Sequence, residues 1–100
     1  MYDMKNLTKF SKMAELAPEA FKKFVAFDQA AYQDGAIPHK YKELIAVAVA
    51  LTTQCTYCIG IHSRKARKAG ATDQELAEVT MVAAALRAGG AVTHGTHALE

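Results

Sequence analysis

Residues 44–51 read LIAVAVAL, and in them Ile45, Val47 and Val49 alternate with Ala46, Ala48 and Ala50. Alternation is the period of a strand, so this octet decides the fold class. Three observations favour a helix. The alternate positions are alanine, the best helix former, and not the polar residues of a half-buried strand. The uninterrupted frame runs from Pro38 to Gln54, long for a strand but ordinary for a helix. No second apolar alternating run exists with which a strand could pair. The segment is therefore expected to be a helix, apolar on nearly all sides and buried accordingly.

Outward from this helix, the punctuation is helical. Upstream, a short helix is expected over Leu7 to Glu15, and Pro18 opens a second that carries Phe21, Phe24, Val25, Phe27 and Tyr32 until Asp34-Gly35 stops it. Downstream, HSRKARKAG reads as the end of a helix stopped at Gly70. Thr72 with Glu75 three residues on forms a capping box for another helix to about Leu86, ended by Ala88-Gly89-Gly90. The tail AVTHGTHAL adds at most one short helix. There is no internal repeat and no low-complexity linker, so the expectation is one all-α domain of five or six helices over residues 1–100.

Composition narrows the function classes. The chain has 100 residues, is 51% hydrophobic, and sets 12 Lys and Arg against 10 Asp and Glu for a net charge of +2. Both halves are nearly balanced, which argues against a nucleic-acid partner. Arg64, Lys65, Arg67 and Lys68 are expected on the solvated last turns of a helix, where cations suit the dipole. The opening MYDMKNLTKFSK is interrupted by charge throughout, so no signal peptide or membrane anchor is expected there, and a cytoplasmic location follows. Many alanines with few aromatics leave more small apolar surface than a compact monomer hides, so self-association is expected.

Both cysteines lie in QCTYCIGIH, residues 54–62. Cys55 falls at the start of a new helix, where unpaired backbone N–H groups and the positive dipole end favour thiolate. Cys58 follows one turn later on the same face, and His62 four residues beyond it. Glu43, at the start of a helix apolar from Leu44 to Leu51, must face solvent, a polar site or a partner, and an acid aimed at His62 could hold the imidazole and move its proton. Spacing alone favours thiol redox chemistry and leaves two rivals open. Cys55, Cys58 and His62 with His94, His97 or Glu43 is also a zinc-ligand set, and two thiols in an alanine-rich helix are also ordinary small hydrophobes. His39 is expected to be exposed, and no chemistry is assigned to His94 or His97.

The frame Glu43-x11-Cys55-x2-Cys58-x3-His62, preceded by PHKYKELIAVAVALTTQ and followed by RKARKAGAT, resembles the carboxymuconolactone decarboxylase family, in particular its alkylhydroperoxidase D-like branch, over roughly Pro38 to Ala98. The resemblance implies an all-helical fold, a trimer or a hexamer, and a peroxidase that uses no cofactor or metal. It implies Cys55 and Cys58 as the redox couple, His62 as proton acceptor and Glu43 as the acid completing the relay, with a hydroperoxide substrate and an external dithiol reductant. The decarboxylase that names the family needs no thiol pair, and keeping CxxC argues against that activity. One departure is visible: Tyr57 stands where the mycobacterial type has a second histidine before its second cysteine.

Overall fold

The computed structural model describes residues 2–100; residue 1, the first of the domain expected over 1–100, lies outside the described residues. Every regular element among them is helical, and the chain forms two compact units, the first ending at His39 and the second spanning Lys40–Glu100.

In the first unit, a 3-10 helix over Met4–Lys9 runs into α1 (Phe10–Leu16), and Pro18 opens α2 (Pro18–Ala31). The helix expected over Leu7 to Glu15 is thus shorter as an α-helix. Its first turns are wound as 3-10, with the Asp3 carboxylate accepting from the Lys5 N–H at 2.9 Å. Pro18 occupies the first helical turn, where its missing N–H costs nothing. Phe10 of α1 meets Phe21 of α2 at 5.8 Å between ring centroids, a tilted pair that holds the two helices together. After α2, the Asp34 carboxylate accepts from the His39 N–H at 2.6 Å and so satisfies the first amide of the next helix, α3 (His39–Thr53). His39 is half-buried, not exposed as expected, because its Nδ1–H donates to the Tyr32 carbonyl at 2.6 Å.

In the second unit, α3 (His39–Thr53), α4 (Thr56–Lys68) and α5 (Asp73–Gly95) follow one another, and a 3-10 turn over Thr96–Ala98 ends the tail. Residues 44–51 are helical, as the alanine phase requires. Their burial is one-sided: Leu44, Val47 and Ala50 are buried, whereas Ile45 and Val49 are 50% and 54% exposed. The all-round burial expected from composition is corrected accordingly. Leu44 packs with Ala66 of α4 and Ala71 of the following turn, and Leu76 and Val79 of α5 close over them. Arg64, Lys65, Arg67 and Lys68 are exposed on the last turns of α4.

The end of α4 and the start of α5 follow their sequence signals closely. Gly70 has φ +102°, and the Ala71 N–H reaches back to the Ala66 carbonyl at 2.9 Å, closing the helix with a left-handed glycine. Thr72 and Glu75 make both bonds of the capping box. The far end of α5 corrects the expected stop near Leu86. Gly89 and Gly90 keep negative φ and the helix continues to Gly95. A helical glycine costs about 1 kcal/mol relative to alanine but does not break the hydrogen-bond ladder as proline would. From Ala84 onward every residue of the helix is exposed, including Leu86 and Val92. By length and composition alone, the stretch Asp73–Ala98 is apolar enough to cross a membrane. Its first turns instead pack Leu76 and Val79 onto the Leu44 core.

The hydrogen bond from the Lys40 ammonium, 3.0 Å away, and that from the Thr72 backbone N–H hold the Glu75 carboxyl below its ordinary range. A carboxyl depressed in the folded state stabilises above its unfolded value, and that contribution disappears as the pH falls through the folded one. Urea unfolding is therefore expected to weaken between neutral and acid pH by less in Glu75→Gln than in the parent, and Thr72→Ala should cost about 1 kcal/mol at neutral pH. Identical acid dependence in parent and Glu75→Gln would exclude this account of the cap.

Candidate active site

The site is assembled where α3 ends and α4 begins. Gln54, between them, has φ +57°, the one left-handed non-glycine residue among those described. It stands where glycine stands after α4, and the Cys55 N–H reaches back to the Ala50 carbonyl at 3.0 Å, the six-to-one bond of a Schellman closure. A side chain in this conformation costs on the order of 1–2 kcal/mol. The chain reverses within a single residue, so Cys55 leaves α3 and becomes the N-cap of α4.

As N-cap, Cys55 is extended (φ −86°, ψ 92°), and its Sγ accepts from the Cys58 N–H at 3.3 Å. Sulfur here takes the place usually held by a serine or aspartate oxygen. Cys58 lies one turn on, with a Cα–Cα separation of 5.2 Å, and the two are joined as a disulfide. Both are half-buried. When the bond is reduced, the same N–H and the helix dipole favour negative charge on Cys55.

The histidine and the acid meet across helices. Glu43 immediately precedes Leu44, and His62 lies one turn before Ala66; since Leu44 and Ala66 share a core cluster, the packing that closes the fold also brings the two polar side chains face to face. Glu43 is fully buried, and its Oε2 lies 2.7 Å from His62 Nδ1. An ionised carboxylate only accepts, so Nδ1 carries the hydrogen and Nε2 is the basic nitrogen. A carboxylate orienting an imidazole in this way fixes its tautomer and the direction in which Nε2 points.

Of the residues singled out by sequence, the structure therefore pairs Glu43 with His62 and Cys55 with Cys58, and strings Cys55, Cys58 and His62 along α4. Tyr57, between the cysteines, is half-buried. His94 and His97 stand apart on the exposed end of α5 and the turn after it, their rings edge to face at 6.0 Å. Among the described residues no three His, Cys, Asp or Glu side chains are grouped to hold a metal ion. Sequence reasoning passed over Arg87, which donates from Nη1 to the Thr52 carbonyl in the last turn of α3. Its signal is visible only in retrospect: Arg87 is the one Asp, Glu, Lys or Arg between Glu78 and Glu100.

A family model for the carboxymuconolactone decarboxylase family matches residues 18–100. The chain belongs to that family. It is 46% identical over 76 residues to protein 4 of the cox locus in Paracoccus denitrificans, spanning 76% of this chain and 68% of that one. It is 40% identical over 91 residues to a Haemophilus influenzae protein, covering 91% and 80% respectively. Among solved structures it resembles the apo form of a carboxymuconolactone decarboxylase family protein from Legionella pneumophila, with TM-score 0.79 and 38% identity over 95% of this chain and 85% of that one. It also resembles a protein from Methanobacterium thermoautotrophicum, with TM-score 0.82 and 34% identity over 88% and 99%.

Removing one partner of a buried polar pair strands the other. Glu43→Ala is expected to cost about 3 kcal/mol or more in urea unfolding at fixed protein concentration, whereas Glu43→Gln, whose amide oxygen still accepts from Nδ1–H, should cost distinctly less. Equal loss in the two variants would show that the hydrogen bond is not what the burial depends on.

Proposed function

We propose that this family member is a thiol–disulfide enzyme that reduces hydroperoxides, with Cys55 and Cys58 as the redox pair and His62 and Glu43 as its proton relay. The observation that carries this reading is the buried Glu43–His62 pair, 2.7 Å across, with His62 on the helix that Cys55 caps and Glu43 reaching it from α3. A structural histidine needs no buried carboxylate, and an inert thiol needs no place at a helix tip.

In the reduced enzyme a cysteine thiolate attacks the terminal peroxide oxygen. The O–O bond breaks, the sulfur becomes a sulfenic acid, and the departing alkoxide takes a proton to leave as alcohol, or as water from hydrogen peroxide. The second cysteine attacks the sulfenic sulfur, forming the Cys55–Cys58 disulfide and releasing water. An external dithiol then exchanges with the disulfide, returning both thiols and leaving as its own disulfide. His62 Nε2 takes the thiol proton and returns it to the leaving oxygen, while Glu43 holds the imidazole through Nδ1. No metal or bound cofactor enters this cycle. Cys55 is the attacking sulfur in this reading, because the Cys58 N–H already points at it.

After peroxide treatment, Cys58→Ser is expected to trap a sulfenic acid on Cys55 with a dimedone-type reagent, and Cys55→Ser to trap far less. His62→Ala should slow peroxide reduction by about 100-fold or more, in the range of a lost general base. No trapping in either cysteine variant, or stoichiometric zinc released only on thiol modification, would overturn the assignment.

We also propose that the working unit is a trimer or hexamer of this chain in the cytoplasm, where a reducing environment keeps the pair available for turnover. The support is α5, whose second half exposes Leu86 and Val92 and carries a single charge, Arg87. So apolar a helix surface is characteristic of a covered interface. Sedimentation equilibrium is expected to give a trimeric or hexameric mass, and Leu86→Glu to lower it; a monomer at micromolar concentration would refute this.

A further inference from the structure

The cysteine pair depends on a turn that should not hold itself. The last four carbonyls of α3 have no partners within the helix. Ala50 O receives the Cys55 N–H. The Thr52 and Thr53 hydroxyls both turn back to Val49 O, at 2.8 and 2.9 Å, and so supply nothing to the helix end itself. Thr52 O is taken by the Arg87 guanidinium, which arrives from α5, thirty-five positions later in the chain. One residue beyond that carbonyl's neighbour lies the left-handed Gln54, and immediately after it Cys55. At the end of α4 a similar reversal is made by Gly70, which adopts its φ without strain.

Cys55 also sits between two opposed dipole ends. The carbonyl end of α3 raises the energy of a thiolate, and the amide end of α4 lowers it. Sγ faces the Cys58 N–H, so the amide end prevails only while the turn keeps this orientation. A guanidinium on Thr52 O both fastens the turn and offsets the negative end.

We propose that Arg87 is a positioning residue for the cysteine pair: by donating to the Thr52 carbonyl it holds the strained Gln54 turn, and thereby keeps Cys55 in place as the N-cap of α4. Arg87 touches no reacting atom and acts through the backbone. The proposal rests on the redox reading above for its purpose, but its test does not use peroxidase activity.

The experiment follows the pH dependence of iodoacetamide alkylation of Cys55 in a Cys58→Ser background, which leaves a single thiol and retains the amide of residue 58. Arg87→Ala is expected to slow alkylation at pH 7 by about three- to tenfold and to move the profile to higher pH. In a Gln54→Gly background, where glycine adopts the turn unaided, the same substitution should have a smaller effect, so the two changes are coupled. Should Arg87→Ala fail to fold by circular dichroism, Arg87→Gln, shorter and uncharged, is compared in the same two backgrounds with the same expectation. A folded variant whose alkylation profile superimposes on the parent's, or whose effect is equal in both backgrounds, overturns the proposal. Either result leaves the peroxidase reading to stand or fall on its own trapping experiment.

Discussion

A carboxylate with no exposed surface, at the head of a helix that is otherwise apolar through Leu51, sets the terms for the rest of this molecule. Removing an ionised carboxyl from water carries an effective penalty of several kcal/mol, recovered only by a well-placed donor. For Glu43 that donor is His62, and the 2.7 Å approach demands that α3 and α4 lie side by side with Leu44 and Ala66 in register. The small size of Ala66 and Ala71 is part of the same requirement. Larger side chains there would push the helices apart and open the polar contact. Core and site are thus one construction, in which the polar pair selects the register that the apolar contacts stabilise.

That construction places the cysteines at a junction of helix ends. A single left-handed residue separates α3 from the cap of α4, so the backbone around Cys55 is determined from both sides. Natural chains retain such strain where its surroundings fix it and where the geometry is used. The disulfide itself closes a very short loop and cuts little from the entropy of the unfolded chain, so a structural staple is a poor explanation for it. A position at a helix tip, one turn from a second sulfur and on the same helix as an oriented imidazole, fits exchange chemistry better than it fits stability.

Much of this was legible in the residues. The helix over LIAVAVAL followed from alanine in the alternate phase, the turn at Gly70 and the Thr72–Glu75 capping box from local signals alone, and the likeness to the carboxymuconolactone decarboxylase family from the Glu43 to His62 frame. What was misjudged depends on contacts that local pattern does not encode. The Gly89-Gly90 pair reads as a stop, yet a helix ends there only if some other hydrogen-bonding scheme competes, and none is supplied. Ile45 and Val49 read as core because composition cannot say which apolar face has a neighbour. Arg87 gave no motif at all, since its partner is a main-chain carbonyl thirty-five positions away.

The exposed apolar half of α5 and the placement of Arg87 bear on each other. Ala83 is the last buried residue of α5, and every residue of the helix after it is exposed, so no apolar contact with its own core holds that end. The Arg87 bond to Thr52 O is then the polar attachment of α5 beyond its packed turns, and it falls beside the end of α3. Covering Leu86 and Val92 with another apolar surface would reduce the solvent that competes for that guanidinium and strengthen the bond, since a charged hydrogen bond gains as its surroundings lose water. Assembly and the geometry of the cysteine turn would then be linked through one residue, with the same helix presenting an apolar surface to a neighbour and a clamp to the end of α3.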